Sequence, residues 1–557
     1  TMAGIGLLTE GPFNDGKGSY ITSFRRSFLK YIIKSTGMTA IPEYWNSQTK
    51  VVYNIDSRNK LMFNAVGGWD YIKVEDENRP DLHGAENVEH TGYQYTVGVT
   101  YKSLFSKQGY SLISLGRSSS SWITDVYGYN TDDSQNIYFS RDNIESDNFF
   151  KLDLIYKISP NMEVSSGVNC KYGQYILNDI ADPDRVFAYT YIDNYDDIIP
   201  LQSLNDYYNM VVTNLDYRDN MDSTLIKTNY SEPVFESGDL WKNAIYSQIK
   251  IYLDRFTVTA GIRHDYIPYN KTSVFAPRLG LSYSITSITN LNLAYGQYYQ
   301  SPNYWILMNP NNKNPLRNTY THQHVAGIEH YFADDIKGTI EVYNKTYHNR
   351  PVNIAGMTPD SLDDRLGFSD TGEGRSFGIE LFLQKKFANK WYGTFSYSLS
   401  KAEGKDLREG RNEYYPWDFD YGNVMTVIGG YKFKFRESKW YRRLRKSAIF
   451  PYISWIPLMV SDQLEISFRY SYSGGRPYTP RHYNFTYRSW FEDLHQDINT
   501  ERYDQYSRLD IMVLRRFNFN KINLTTFLDI QNIVDRDNIW AIMYLEDGST
   551  EMSYQYK

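Results

Sequence analysis

The chain has a single cysteine, Cys170, in 557 residues, so no intrachain disulfide can brace it. It has no basic surplus: 59 Lys and Arg stand against 65 Asp and Glu, a formal charge of −6, which excludes a dominant nucleic-acid binder. It has no run of about 18 apolar residues, so no helix crosses a bilayer. Its first residues, Thr1 to Leu8, lack the basic start and cleavage site of a signal peptide, and the sequence is expected to be mature or truncated at this end. Nucleophile elbow, phosphate loop and paired-cysteine metal motif are all missing, so no catalytic set and no cofactor are expected.

Aromatic residues are abundant. Tyr 53, Phe 28 and Trp 11 make up 17% of the chain, and tyrosine supplies more than half of them. A ring with a polar tip suits a boundary between water and an apolar phase. With 41% hydrophobic residues the chain has ample material for an ordered structure.

The dominant pattern is alternation at period two, the strand signature. Tyr93, Tyr95, Val97, Val99 and Tyr101 share one face, and Gly92, Gln94, Thr96, Gly98, Thr100 and Lys102 the other. Phe256, Val258, Ala260 and Ile262 oppose Thr257, Thr259, Gly261, Arg263 and Asp265. A soluble propeller or sandwich alternates in the same way. Three features favour a transmembrane antiparallel β-barrel: long runs, aromatics near strand ends, and connections that alternate short and long. About 20 strands are predicted. The long connections, 73–90, 124–144, 180–240, 301–320, 351–374, 402–420 and 476–503, face outside, and short ones such as Asp254–Arg255 face the periplasm.

Motifs in chain order resemble the barrel of TonB-dependent outer-membrane receptors of the Bacteroidota type. They include the hairpin run Gly11 to Phe28, then Ala260–Tyr266, Phe275–Tyr283, Tyr295–Pro302, Gly378–Leu381, Tyr397–Lys401, Gly474–Pro480, Arg508–Asp510 and Gln531–Asp535. Asp420–Asn423 departs from the Asp-Gln-Arg-His run often seen there. The resemblance implies an all-β fold of the 22-stranded family type. It implies residues 1–557 to be barrel with the N-terminal plug, first strand and most or all of the last strand missing, residues 549–557 being the candidate start of that last strand. It further implies a bacterial outer-membrane protein in contact with lipid, taking up a siderophore, oligopeptide, glycan or cofactor. Energy would come from the TonB coupling protein through the plug, and a surface lipoprotein is a further candidate partner. The alternatives are a non-transporting barrel subunit of a surface assembly and a barrel enzyme.

Four segments are candidate functional sites. Tyr298, Tyr299, Asn303, Tyr304 and Trp305 open a loop that can stack on a ligand or serve as an interfacial girdle. The 180–240 loop is acidic, with Asp182, Asp184, Asp193, Asp196 and Asp197; a solvated loop fits better than a calcium site, and its length makes it a candidate lid or docking surface for a lipoprotein. His322 and His324 share a strand face, with His330 further along; a polar lumen face is preferred to a metal site, because no carboxylate or Cys lies beside them. Lys439, Arg442, Arg443, Arg445 and Lys446 form a basic periplasmic connection followed by an apolar, proline-broken stretch, read as a surface-lying amphipathic piece that contacts lipid headgroups, plug or partner, or anchors the rim.

Overall fold

The computed structural model describes residues 4–28, 41–74, 87–129, 135–181, 184–192, 198–200, 221–229, 234–353, 367–405, 413–454, 456, 460–484, 489–492, 498–519, 523–545 and 548–554. Twenty strands, with the two-residue segment Tyr415–Pro416 paired to one of them, build one antiparallel sheet. In chain order they are β1 Gly4–Phe13, β2 Gly18–Ser27, β3 Ile41–Asn54, β4 Asn59–Val74, β5 Asn87–Ser103, β6 Gly109–Tyr129 and β7 Gln135–Ser159. There follow β8 Met162–Ala181, β9 Val234–Leu253, β10 Phe256–Ile267, β11 Thr272–Thr286, β12 Thr289–Gln300, β13 Thr319–Ala333 and β14 Ile336–Asn353. The last are β15 Phe368–Ala388, β16 Trp391–Lys405, β17 Asn423–Phe433, β18 Gln463–Ser473, β19 Tyr506–Asn518 and β20 Asn523–Ile530. Each strand pairs with the next, and among the described residues no pairing joins β20 to β1. No helix among them is long and apolar enough to span a membrane.

Register fixes which side chains share a face, since directly paired residues point the same way. Leu279 pairs with Tyr295, Tyr295 with His324, Ile328 with Ile340 and Ile379 with Leu399. On this face Leu279, Ile328, Ile340, Ile379 and Leu399 are each between 45% and 54% exposed, as lipid-facing side chains of a barrel are. The opposite face carries the charged side chains, among them Asp70, Asp153 and Glu163, and is the lumen face. Ion pairs such as Arg508–Asp510 and Lys151–Asp153 line it.

The strands run further outward than alternation indicates. β7 has 25 residues and β6 has 21, where about 9–11 suffice to cross a bilayer. The expected loop 124–144 is therefore mostly strand, because β6 and β7 stay paired up to Tyr129–Gln135. The 73–90 connection shortens likewise, with Val74 paired to Val88. Within 180–240, segments Asp184–Ile192, Ile198–Pro200 and Met221–Asn229 form their own small sheet. Residues 550–554 do not begin a closing strand; they pair with Ile539–Tyr544 in a separate hairpin. That hairpin rests on the neighbouring outer connection: Trp490 Nε1 donates to the Leu545 carbonyl at 2.8 Å, and Trp490 meets Tyr544 edge-on at 4.8 Å.

Two of the motif regions are stitched together. Asn532 donates its backbone N–H to Asp510 at 2.9 Å, and Ile533 to the Leu509 carbonyl at 2.8 Å. Asp420, 3% exposed, accepts from Arg502 at 2.6 Å and from the Ala402 N–H at 2.8 Å. The divergent Asp420–Asn423 run thus ties two outer connections to each other.

Candidate ligand-entry site

The connection between β12 and β13, residues 301–318, folds back onto the lumen wall. Its one helical turn is α1, Tyr304–Leu307. Asn303 starts it, its carbonyl accepting the Leu307 N–H at 2.9 Å. Tyr304, Leu307 and Leu316 are buried against Tyr175 of β8, Leu240 of β9 and Ile267 of β10. Tyr175 and Leu240 stand on the lumen face, in register with Glu145 and Gly173 respectively.

The polar contacts are equally specific. The Tyr304 hydroxyl donates to Asp147, which also pairs with Lys171 at 3.0 Å. Lys242 Nζ lies 4.3 Å from the Tyr304 ring centroid and donates to Ser301 Oγ at 2.7 Å. Burial, then the hydrogen bond to Asp147, pushes the Tyr304 hydroxyl well above the usual phenol range, so it remains a donor at any physiological pH. Two glycines make the close approach possible. A Cβ on Gly173 would collide with the Tyr304 hydroxyl, and one on Gly238 with the Met308 methyl. The outer turn between β10 and β11, residues 268–271, is short, and over it Asn270 Nδ2 donates to the Leu316 carbonyl at 2.7 Å. At the far end Arg317 pairs with Asp370 at 2.8 Å.

The five residues expected at the mouth divide in two. Tyr304 is buried in the docking contact, whereas Tyr299, in register with Tyr320, stands on the outward face and not at the mouth, half-buried, accepting from Gln297 at 2.8 Å and leaning on Tyr320 at 5.5 Å. Tyr298 is 40% exposed on the lumen face, 4.7 Å from the Arg278 guanidinium. Asn303 is exposed, and so is Trp305, which rests edge-on against Phe368 at 5.3 Å. Below the loop a polar recess of about 270 Å³ is lined by Lys171, Lys242, Arg263, Asp265, Asn169 and Ser301. Reading the sequence alone missed Asp147, Lys171, Lys242 and the two glycines; their signal was a shared inward parity on β7 to β9, visible once register is known.

The other candidates fall elsewhere. Asp182, Asp193, Asp196 and Asp197 lie outside the described residues, and Asp184 opens a strand of the small sheet. His322 and His324 do not face the lumen: they stand on the outward face with Tyr295, Tyr320 and His348. Their strand shares its outward face with Ile328, and that parity overrides their polarity. No cluster of three or more potential metal-ligating side chains occurs among the described residues. Lys439, Arg442, Arg443 and Arg445 sit on α2, Lys439–Arg445, with Lys446 at its C-terminal end.

A lipid-facing barrel with its mouth narrowed by an inward-docked loop is the architecture of an outer-membrane receptor. Residues 34–533 match the family described as TonB dependent receptor-like, beta-barrel, and the chain belongs to that family. No curated protein matches it. Among solved structures it is similar to FpvA of P. aeruginosa bound to heterologous pyoverdines, at 12% identity and TM-score 0.63 over 98% of this chain and 68% of that one. It is similar to the outer membrane transporter YddB from Escherichia coli, at 11% identity and TM-score 0.61 over 96% and 71%. It also resembles BauA, the ferric preacinetobactin receptor from Acinetobacter baumannii, at 12% identity and TM-score 0.61 over 99% and 75%. The protein is thus an outer-membrane receptor or transporter barrel, and its family and structural relatives are receptors and transporters.

Proposed function

We propose that the chain is the barrel of a receptor of the Bacteroidota type that imports a nutrient ligand by TonB-energised transport. The ligand meets Tyr298, Asn303 and Trp305 at the mouth, while Tyr304 anchors the loop that narrows it. The energy-coupling protein acts through a plug seated in the charged lumen, and the acidic 180–240 region offers a lid or a lipoprotein docking surface.

The observation that carries this reading is the docked 301–318 loop. It leaves an aromatic ring over an arginine at the lumen face, Tyr298 on Arg278, beside a recess with three basic side chains. Aromatic and cationic groups together suit a polar, anionic or aromatic solute. Ferric siderophores, the ligand class in the names of several structural relatives, form the first panel to test; oligopeptides, glycans and cofactors form the second. The test is radiolabelled uptake in cells expressing the complete gene. Uptake should collapse with a protonophore, and Tyr298→Ala with Trp305→Ala should lower it at least several-fold. Passage that persists without the proton gradient would overturn the transport reading.

A further inference from the structure

The connection between β17 and β18 is long on a side where its counterparts are short turns. It contains α2, which spans Lys439–Arg445, and a second helical turn, α3, Phe450–Ile453. It folds outward, not into the lumen. Tyr441 and Phe450 bury Phe517, an outward residue of β19 that follows the parity of Val513 and Ile466. Arg515 shares that outward parity, where a bare guanidinium would face lipid. It donates instead to the carbonyls of Ser454, at 2.9 Å, and Ile456. A buried ion pair completes the anchor: Arg445 meets Asp462, fully buried, at 2.5 Å, and Asp462 also accepts the Asn518 N–H at 2.6 Å.

The segment therefore lies against the outside of the wall at the periplasmic rim, continuous with the lipid-facing rings of Tyr431 and Phe433. Its free surface has two kinds of side chain. Trp440, Ile449, Tyr452 and Ile456 are large and exposed. Lys439, Arg442, Arg443 and Lys446 recur at i, i+3, i+4 and i+7, one helical face opposite Tyr441 and Leu444, and all four are exposed. Among the described residues none of the four has an acidic partner, and between Lys434 and Ile456 the only acidic residue is Glu437.

We propose that this face binds the headgroups of anionic glycerophospholipids in the periplasmic leaflet. The four cations hold the phosphates while the exposed rings and Ile449 enter the acyl boundary, the arrangement of an interfacial amphipathic helix. Charge complementarity and continuity with the lipid-facing wall select this occupant over an acidic periplasmic protein, which would leave Tyr452 and Ile449 in water.

The test uses the receptor from its complete gene, purified in a neutral detergent and titrated with phosphatidylglycerol or phosphatidylcholine, read by native mass spectrometry and thermal shift. Phosphatidylglycerol should bind at least ten-fold tighter, with a salt-dependent affinity. Replacing all four cations (Lys439→Ser, Arg442→Ser, Arg443→Ser, Lys446→Ser) should weaken it on the order of a thousand-fold, while heat-shifted gel mobility is kept. Should that variant lose its mobility shift, Arg442→Ser with Arg443→Ser gives the reading, and the Arg442→Lys, Arg443→Lys pair should restore binding. Equal binding of the two lipids, or unchanged phosphatidylglycerol binding in a folded variant, would overturn the proposal. So would selective capture of lipid A or of a polyglutamate peptide in place of phosphatidylglycerol.

Discussion

Truncating Leu307 to alanine isolates the docking of the entry loop from the stability of the barrel. Leu307 is 2% exposed, and its partners come from the loop itself and from three wall strands. Removing such a side chain costs about 2–5 kcal/mol. The strands do not need this contact, since their ladders are complete without it, so the loss should fall on the docked state of the loop. At about 3 kcal/mol the undocked population rises a little over a hundred-fold. The reporter is hydrogen exchange at the Met308 amide, which donates to the Tyr304 carbonyl at 2.8 Å and exists only while the turn is formed. Its exchange should accelerate on the order of a hundred-fold, with no change at the paired amides of β9 and β10. Tyr304→Phe removes only the hydroxyl and leaves Asp147 its Lys171 partner, so a smaller shift is expected, about 1 kcal/mol. If Met308 protection is unchanged in Leu307→Ala while the whole barrel melts earlier, the cluster belongs to the wall and the docking argument fails.

Three further outcomes are expected. Gly173→Ala should expel Tyr304 from its seat and speed the same exchange although no loop residue has changed, because no Cβ fits beneath that hydroxyl; normal protection would show that the wall yields. Asp462→Ala leaves the three-quarters-buried Arg445 unpaired and the Asn518 N–H unsatisfied, so the periplasmic segment should open to protease at a cost of about 2–3 kcal/mol, after allowance for solvent at the arginine; a resistant segment would refute its anchoring role. The Lys385 ammonium of β15 holds the carboxyl of Asp335, in the turn between β13 and β14, below its ordinary value. Its stabilising effect is therefore full above about pH 4 and disappears as pH falls through the lowered folded-state value. Acid titration of the melting temperature should show a shallower fall in Asp335→Asn, and identical slopes would remove the assignment.

Much of the barrel is legible in the sequence because period-two alternation and interfacial rings are local signals. The faces of 92–102 and 256–265 emerge as read, and the strand number agrees. What escaped is set by pairing between distant segments. His322 looks like a lumen residue by its chemistry, but its register with Gln297 and Thr346 places it outside. The outer ends of β6 and β7, within 124–144, look like loop, since Thr131 to Asn136 is a polar, turn-forming run, and only their mutual ladder makes the flanking residues strands. Tyr304 is recognisable as a loop aromatic, but its burial depends on Gly173 and Gly238, far away in sequence. The basic connection was legible as an amphipathic piece; its outward fold depends on Arg515 standing at an outward position.

The unequal heights of its strands make the receptor asymmetric toward its surroundings. β7, at 25 residues and about 3.3 Å per residue, extends for about 80 Å, whereas β10 has 12 residues and ends in a turn at 268–271. One flank is thus a tall screen and the next a low sill. A bulky particle arriving from outside meets the crest of the screen well before it can reach the turn at 268–271. On the low side the wall is completed by the 301–318 loop, which is tied to the turn by Asn270 and Leu316. Size alone thus sorts which part of the rim a visitor meets first.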